Sequence, residues 1–229
     1  MSNLIFKAAK LAHIKHNGQM RKDKTTEYIM HPVNVAGKVL LWTTQQENNQ
    51  FNYENMIAAA VLHDVLEDTN VTEEEITVAT NADVTKLVVE LTNASHDSKL
   101  PRAQRKAMDR EKLTNASQEA KIIKMFDRID NLEDMSYDDS FGMDYARESI
   151  LLAEVIGDAD PLVLAQLVSI ALEVHGHNTH NWGKCIGCEL EVPFIDNRHT
   201  RGPLSFKCKR HENEEEFENY PNDMKRGME

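Results

Sequence analysis

Four ionisable side chains fall within six residues of the stretch Ile57–Thr69, IAAAVLHDVLEDT: His63, Asp64, Glu67 and Asp68. An imidazole and carboxylates at that density can ligate a cation, or hold a water and take its proton. The residues before them, Ile57 to Leu62, are all apolar, so the stretch reads as a buried helix. Positions three and four apart are neighbours on a helix. The spacing therefore predicts His63 beside Glu67, and Asp64 beside both Glu67 and Asp68. Burying these groups without partners is costly, and a cation is the simplest relief. The adjacent His63 and Asp64 then offer two ligands, and the carboxylates one turn on can handle a water or a proton. The alternative is a helix end that reaches solvent, with Glu67 and Asp68 as surface charges.

Two further places supply candidate ligands. His31 stands in HPVNVA, and Asp127 in KIIKMFDRIDNLEDM. Alone, His31 reads as a structural or capping histidine and Asp127 as a surface acid; together with the His63-Asp64 pair they make a mixed imidazole and carboxylate set. Such a set suits Mn²⁺ or Fe²⁺, with Zn²⁺ also compatible. The cation would lower the pKa of water from 15.7 towards about 7 and offset charge on a phosphoryl oxygen. A phosphate-bearing substrate also needs positive groups, which Arg21, Lys22 and Lys99 could supply, Arg in bidentate fashion. The plain alternative for Arg21 and Lys22 is a solvated pair of loop charges.

These residues need helices to place them. Residues 3–16 have helical spacing in Leu4, Ile5, Ala8, Leu11 and Ala12, and Asn17-Gly18 ends the run. A polar loop, Gln19–Tyr28, leads to His31-Pro32, which opens a helix with the stripe Val33, Val35, Ala36, Val39 and Leu40. Residues 45–52 form a Gln/Asn-rich loop. Thr72 and Glu75 fit a capping box at the start of a short helix. Residues 82–92 form another helix, residues 93–101 a loop, and residues 102–113 a charged, solvent-facing helix. Ser117–Met135 reads as amphipathic, with Ala120, Ile123, Phe126, Ile129 and Leu132 on its apolar face. Tyr145–Ile156 and Pro161–Val174 complete an all-α bundle.

The chain has 229 residues, room for one ordinary domain with an appendage or two small ones. Its net charge of −12 does not attract nucleic acid or anionic membrane non-specifically. No apolar run reaches the roughly 18 residues a membrane span needs. The N-terminus lacks a signal-peptide layout, since Lys7 and Lys10 interrupt its apolar part, so a cytoplasmic protein is expected.

Composition changes after His175. Cys185 and Cys188, then Cys208 and His211, form C-x2-C…C-x2-H with nineteen residues between the pairs. That is the layout of a zinc ribbon or knuckle holding one structural Zn²⁺, with His199 an alternative to His211. The intervening LEVPFI and PLSFKC can form short strands. A tail with free thiols is the other reading. Residues 212–229 are acidic and expected to be disordered. The division expected is a helical domain over 1–178, a zinc-binding module over 179–211, and the tail. A zinc module of this kind can contact a partner that the sequence does not identify.

The order His, then His-Asp, then a distant Asp is similar to the ligand pattern of the HD superfamily of metal-dependent phosphohydrolases. Three segments carry a closer likeness: HNGQMRKD…YIMHPVNVA, AAAVLHDVLEDTNVTEEEI and AKIIKMFDRIDNLEDM. Over roughly residues 1–155 they resemble, in order, the hydrolase domain of the RelA/SpoT family. With no synthetase-like domain, the chain is most similar to the small stand-alone alarmone hydrolases of the metazoan SpoT-homologue type.

The resemblance implies an all-α HD domain that uses Mn²⁺ and removes the 3′-pyrophosphate of (p)ppGpp. It puts His31, His63, Asp64 and Asp127 on the metal and makes Glu67 and Asp68 the pair that orients and deprotonates the attacking water. Arg21 and Lys22 match the Arg-Lys step beside the guanine, and Asn131 the nucleoside-binding Asn. Lys99, Tyr145 and Arg147 fall near positions where the family places substrate contacts. The chain departs from the pattern at Glu27, where a Pro is usual; at Asp134, where a Thr is common; and at Asp130, where an aromatic residue or His is usual. Asp130 is expected to add negative charge near the substrate. Members of the stand-alone type are also implicated in dephosphorylating NADPH, so an HD nucleotidase or NADPH phosphatase is an alternative within the enzyme class. A regulatory protein that binds a nucleotide without catalysis is the alternative outside it. Glu67 and Asp68, which a binder would not need, favour the enzyme.

Overall fold

The computed structural model describes residues 3–46, 50–135 and 140–174, with two short strands at 192–193 and 203–204. The chain forms two compact units, Met1–Asn131 and Leu132–Glu229.

In the first unit, α1 (Asn3–Lys15) ends at Gly18, whose φ of 81° is a conformation glycine adopts without strain. A closed hairpin follows. Met20 and Glu27 form a bridge, and Asp23 accepts hydrogen bonds from the backbone of Thr25 and Thr26 and from the Thr26 hydroxyl. Those donors hold the Asp23 carboxyl below its usual range. α2 is Met30–Thr43 and α3 is Tyr53–Leu62. Next come α4 (Val65–Asp68), α5 (Glu73–Ala79), α6 (Ala82–Leu91), α7 (Arg102–Thr114) and α8 (Gln118–Glu133). The Thr72–Glu75 capping box forms in both directions at the start of α5.

α3 is the central element: every residue from Asn55 to Leu62 is buried, and α1, α2 and α6 pack on it. The three alanines Ala58, Ala59 and Ala60 leave room for that close approach on several sides. One expectation needs correction. Val33 and Leu40 do not belong to the buried stripe of α2; they are 43 % and 49 % exposed, and His31, Pro32 and Trp42 are buried instead. On α8 the expected face of Ala120, Ile123, Phe126, Ile129 and Leu132 is buried, and burial extends beyond it: every residue from Ile122 to Asp130 is buried, including Lys124, Asp127, Arg128 and Asp130.

The second unit contains α9 (Ser140–Ile156), a 3₁₀ turn at Gly157–Ala159 and α10 (Pro161–Val174). Asp160 accepts from the backbone N–H of Leu162 and Val163 and so caps α10, with Pro161 at its first position. α10 buries Val163, Leu164, Leu167, Val168, Ala171 and Leu172, a helical period packed against α9. Strands β1 (Val192–Pro193) and β2 (Pro203–Leu204) pair antiparallel within the two segments expected to form strands. Among the described residues no helix is long and apolar enough to cross a membrane.

Candidate metal centre

The helix carrying the four ionisable groups is broken. α3 stops at Leu62, His63 and Asp64 form a turn, and α4 restarts at Val65. His63 Nδ1 lies 2.8 Å from the Ala60 carbonyl. In an unbroken helix that carbonyl would accept from the N–H of Asp64. Asp64 Oδ2 accepts a hydrogen bond from the Tyr28 hydroxyl at 2.6 Å and lies 3.0 Å from His63 Nε2. The two oxygens of Glu67 accept from the backbone N–H and the side-chain amide of Asn93, at 2.8 and 2.7 Å. Asp68 is exposed, and its backbone carbonyl accepts from Gln19 Nε2 at 2.7 Å.

His31, in the first turn of α2, meets this junction. Its Nε2 lies 3.5 Å from Asp64 Oδ2 and 3.2 Å from Asp127 Oδ1. His63 Nε2 lies 3.6 Å from the same Asp127 oxygen. One nitrogen each from His31 and His63 and one oxygen from Asp64 fall within 4.8 Å of one another, a group that could hold a metal ion. The donor set fits one. His63 Nε2 is buried and makes no hydrogen bond among the described residues, although Asp64 is close. With His63 Nδ1 donating to Ala60, that nitrogen presents a lone pair to the pocket.

The surroundings hold the acids ionised. Burial opposes charge on Asp64, but His63 and its hydrogen bond outweigh it, and the pKa falls below the usual range. Burial likewise opposes charge on Asp127, and Lys124, His31 and His63 pull its pKa well down. Lys124 Nζ reaches Asp127 Oδ2 at 2.8 Å, and Asn131 Nδ2 donates to Asp127 Oδ1 at 2.8 Å. The histidines respond in the opposite sense. Burial disfavours their protonated forms, yet Asp127 and Asp130 raise the pKa of His31, and Asp64 and Asp127 raise that of His63. Tyr28, half-buried and facing Asp64, has its pKa pushed up by burial and by that carboxylate, so it remains a hydrogen-bond donor.

The remaining predicted residues divide. Arg21, on the hairpin, points Nη1 at Asn131 Oδ1 across 3.4 Å, which brings two of them to the edge of the acid cluster. Lys22, beside Arg21, and Lys99, in the loop after α6, are exposed. Tyr145 and Arg147 are on α9 in the second unit, the first half-buried and the second exposed. Cys185, Cys188, Cys208 and His211, and the alternative His199, lie outside the described residues. Asp130 needs correction. It does not face out to a substrate but is 4 % exposed, with Oδ2 2.7 Å from His31 Nδ1. Tyr28, Asn93 and Lys124 were not singled out from the sequence. Lys124, one turn before Asp127, was the one detectable by spacing.

A model of the HD domain matches residues 8–152. The chain belongs to the HD-domain family. It is 39 % identical over 133 residues to the guanosine-3′,5′-bis(diphosphate) 3′-pyrophosphohydrolase MESH1 of Xenopus tropicalis, covering 58 % of this chain and 69 % of that protein. The Homo sapiens MESH1 is 35 % identical over 135 residues, with the same coverage. Among solved structures, a metazoan ortholog of SpoT described as hydrolysing ppGpp, with a role in starvation responses, matches with a TM-score of 0.63 and 26 % identity. That match covers 74 % of this chain and 94 % of the other.

Proposed function

We propose that this HD-domain chain is a divalent-metal-dependent hydrolase that removes the 3′-pyrophosphate of (p)ppGpp, yielding GDP or GTP and pyrophosphate. The observation that carries the reading is the convergence of His31, His63, Asp64 and Asp127, from three separated elements, on one pocket. Likeness to MESH1 supplies the substrate class. His31, His63, Asp64 and Asp127 hold the cation, with Mn²⁺ the proposed metal and other first-row divalent ions compatible with the donors. When bound, the cation supplies a water of lowered pKa and offsets charge on the phosphoryl group.

The protein's own groups do the rest. Glu67 or Asp68 takes the proton of the attacking water, an effect worth about 10²–10⁴-fold in rate. The two Asn93 donors fix Glu67 in one orientation. Water replaces the ribose 3′-oxygen at phosphorus, and that oxygen leaves with the nucleotide. Asn131 and Arg21 bind the nucleoside and Lys22 lies beside it, while Lys99, Tyr145 and Arg147 are substrate-binding candidates by the resemblance alone. The catalytic domain spans 1–178, and the enzyme works in the cytoplasm. Spacing alone supports one structural Zn²⁺ on Cys185, Cys188, Cys208 and His211, in a module over 179–211 whose partner is unidentified, followed by the tail 212–229. Elemental analysis of wild type and Cys188→Ser tests the zinc site: unchanged zinc in the variant overturns it.

Mn²⁺-loaded protein incubated with ppGpp, NADPH and deoxynucleotides, with products read by mass, tests the reaction. GDP and pyrophosphate from ppGpp are expected. Intact ppGpp alongside phosphate released from NADPH, or a cleaved deoxynucleotide, overturns the substrate and keeps the hydrolase. Tight ppGpp binding with no turnover of any of the three favours a nucleotide-binding regulator.

A further inference from the structure

His31 and His63 offer the same atom, Nε2, to the pocket, but their far nitrogens are held differently. His63 Nδ1 meets a main-chain carbonyl, that of Ala60. His31 Nδ1 meets a carboxylate, Asp130 Oδ2, at 2.7 Å. Asp130 is buried, so water does not compete for the contact. Its other oxygen lies 3.7 Å from Lys38 Nζ. Lys38 follows His31 by seven residues on α2, two turns along the same face. One helix thus brings an imidazole and an ammonium to the same buried acid on α8. A buried carboxylate is tolerated when its charge is shared in this way.

We propose that Asp130 is a positioning residue: it orients His31 so that Nε2 faces the cation, and strengthens that nitrogen as a ligand, while Lys38 holds the carboxylate in place. This rests on the metal reading above. The position is one where the chain departs from the motif it otherwise resembles, so the device belongs to this chain's own residues. Carboxylates behind a ligating histidine change metal affinity by about 10–100-fold. The Asp130 carboxylate is therefore withdrawn from the substrate and spent on the first ligand of the chain.

The test is a Mn²⁺ titration of the full chain, reading free Mn²⁺ by electron paramagnetic resonance, for wild type, Asp130→Asn, Asp130→Ala, Lys38→Met and the double variant carrying both Asp130→Ala and Lys38→Met. Asp130→Asn keeps an acceptor and the size but loses the charge; Asp130→Ala loses both. Mn²⁺ affinity should fall by about 10–100-fold in the Ala variant and by less in the Asn variant. Lys38→Met should weaken it in wild type but not in the Asp130→Ala background, a coupling that a merely structural role would not produce. Helix content by circular dichroism should be unchanged, and if the Ala variant fails to fold, the Asn variant still decides. Wild-type affinity in the Asp130 variants, or additive effects in the double variant, overturns the proposal while leaving the metal site intact. Wild type that binds no Mn²⁺ overturns the metal site itself, and Asp130's role with it.

Discussion

The junction between α3 and α4 and the middle of α8 both place ionisable residues in the interior, and they solve the problem differently. At the junction the helix breaks, and two of its acids find partners on other elements: Asp64 on Tyr28 and Glu67 on Asn93. In α8 the helix stays intact, and its own periodicity supplies partners. Lys124, Asp127 and Asn131 stand three and four residues apart and bond to one another. The broken region aims side chains in several directions from a short stretch, so a cation site and a proton-transfer site can share six residues. The intact region is a rack on which Asp127 is held ionised by Lys124 beside it and by His31 and His63 from other elements. Function draws directional freedom from the first and electrostatic constancy from the second.

The largest effect should come from the junction. Asp64→Ala removes a ligand facing both imidazoles; activity should vanish and Mn²⁺ content drop in elemental analysis, with helix content retained. Full Mn²⁺ occupancy would show that the junction is not where the cation sits.

Next is the rack. Lys124→Ala leaves Asp127 buried with one charge partner fewer, and such a loss costs about 3–5 kcal/mol. Denaturant unfolding of the metal-free protein measures it. A change below about 1 kcal/mol would mean that Asn131 and the histidines suffice to stabilise Asp127.

A third experiment sets the two regions against each other by pH. Asp64 and Asp127 have lowered pKa values, whereas both imidazoles have raised ones, so protons compete with a cation for their nitrogens to a higher pH than usual. Mn²⁺ affinity should therefore rise with pH through the imidazole range and above its ordinary value of about 6.5. Calorimetry in two buffers of different ionisation enthalpy should show proton release on binding; a flat profile would mean that the histidines enter already neutral.

Smaller effects should follow at the hydrogen bonds that aim the side chains. Asn93→Ala removes the side-chain donor to Glu67, leaving the backbone N–H of residue 93 in place, and should lower kcat by about 10-fold, from roughly 1.5 kcal/mol of charged hydrogen bonding, with Mn²⁺ still bound. Arg21→Ala should mainly raise KM, because Arg21 is assigned to ground-state binding. If kcat falls and KM does not, Arg21 acts on the transition state.

Much of the helical architecture was legible from spacing, because apolar periodicity, Gly18 and the Thr72–Glu75 box act locally. The break at His63 was not, since nothing in the HD pair marks a competitor for the Ala60 carbonyl. The burial of α8 was not, because charges at 124, 127, 128 and 130 resemble a solvated face until partners on other elements are known.

The sequence by itself determined the candidate ligands, their order and the kinship with HD hydrolases, since residue types at chemically meaningful spacing survive without coordinates. Tertiary structure alone decided which atom each ligand presents and who holds it. His31 and Asp130 are 99 positions apart, and Glu67 and Asn93 are 26. Such contacts join α2 to α8 and α4 to the loop after α6, and no local periodicity encodes them.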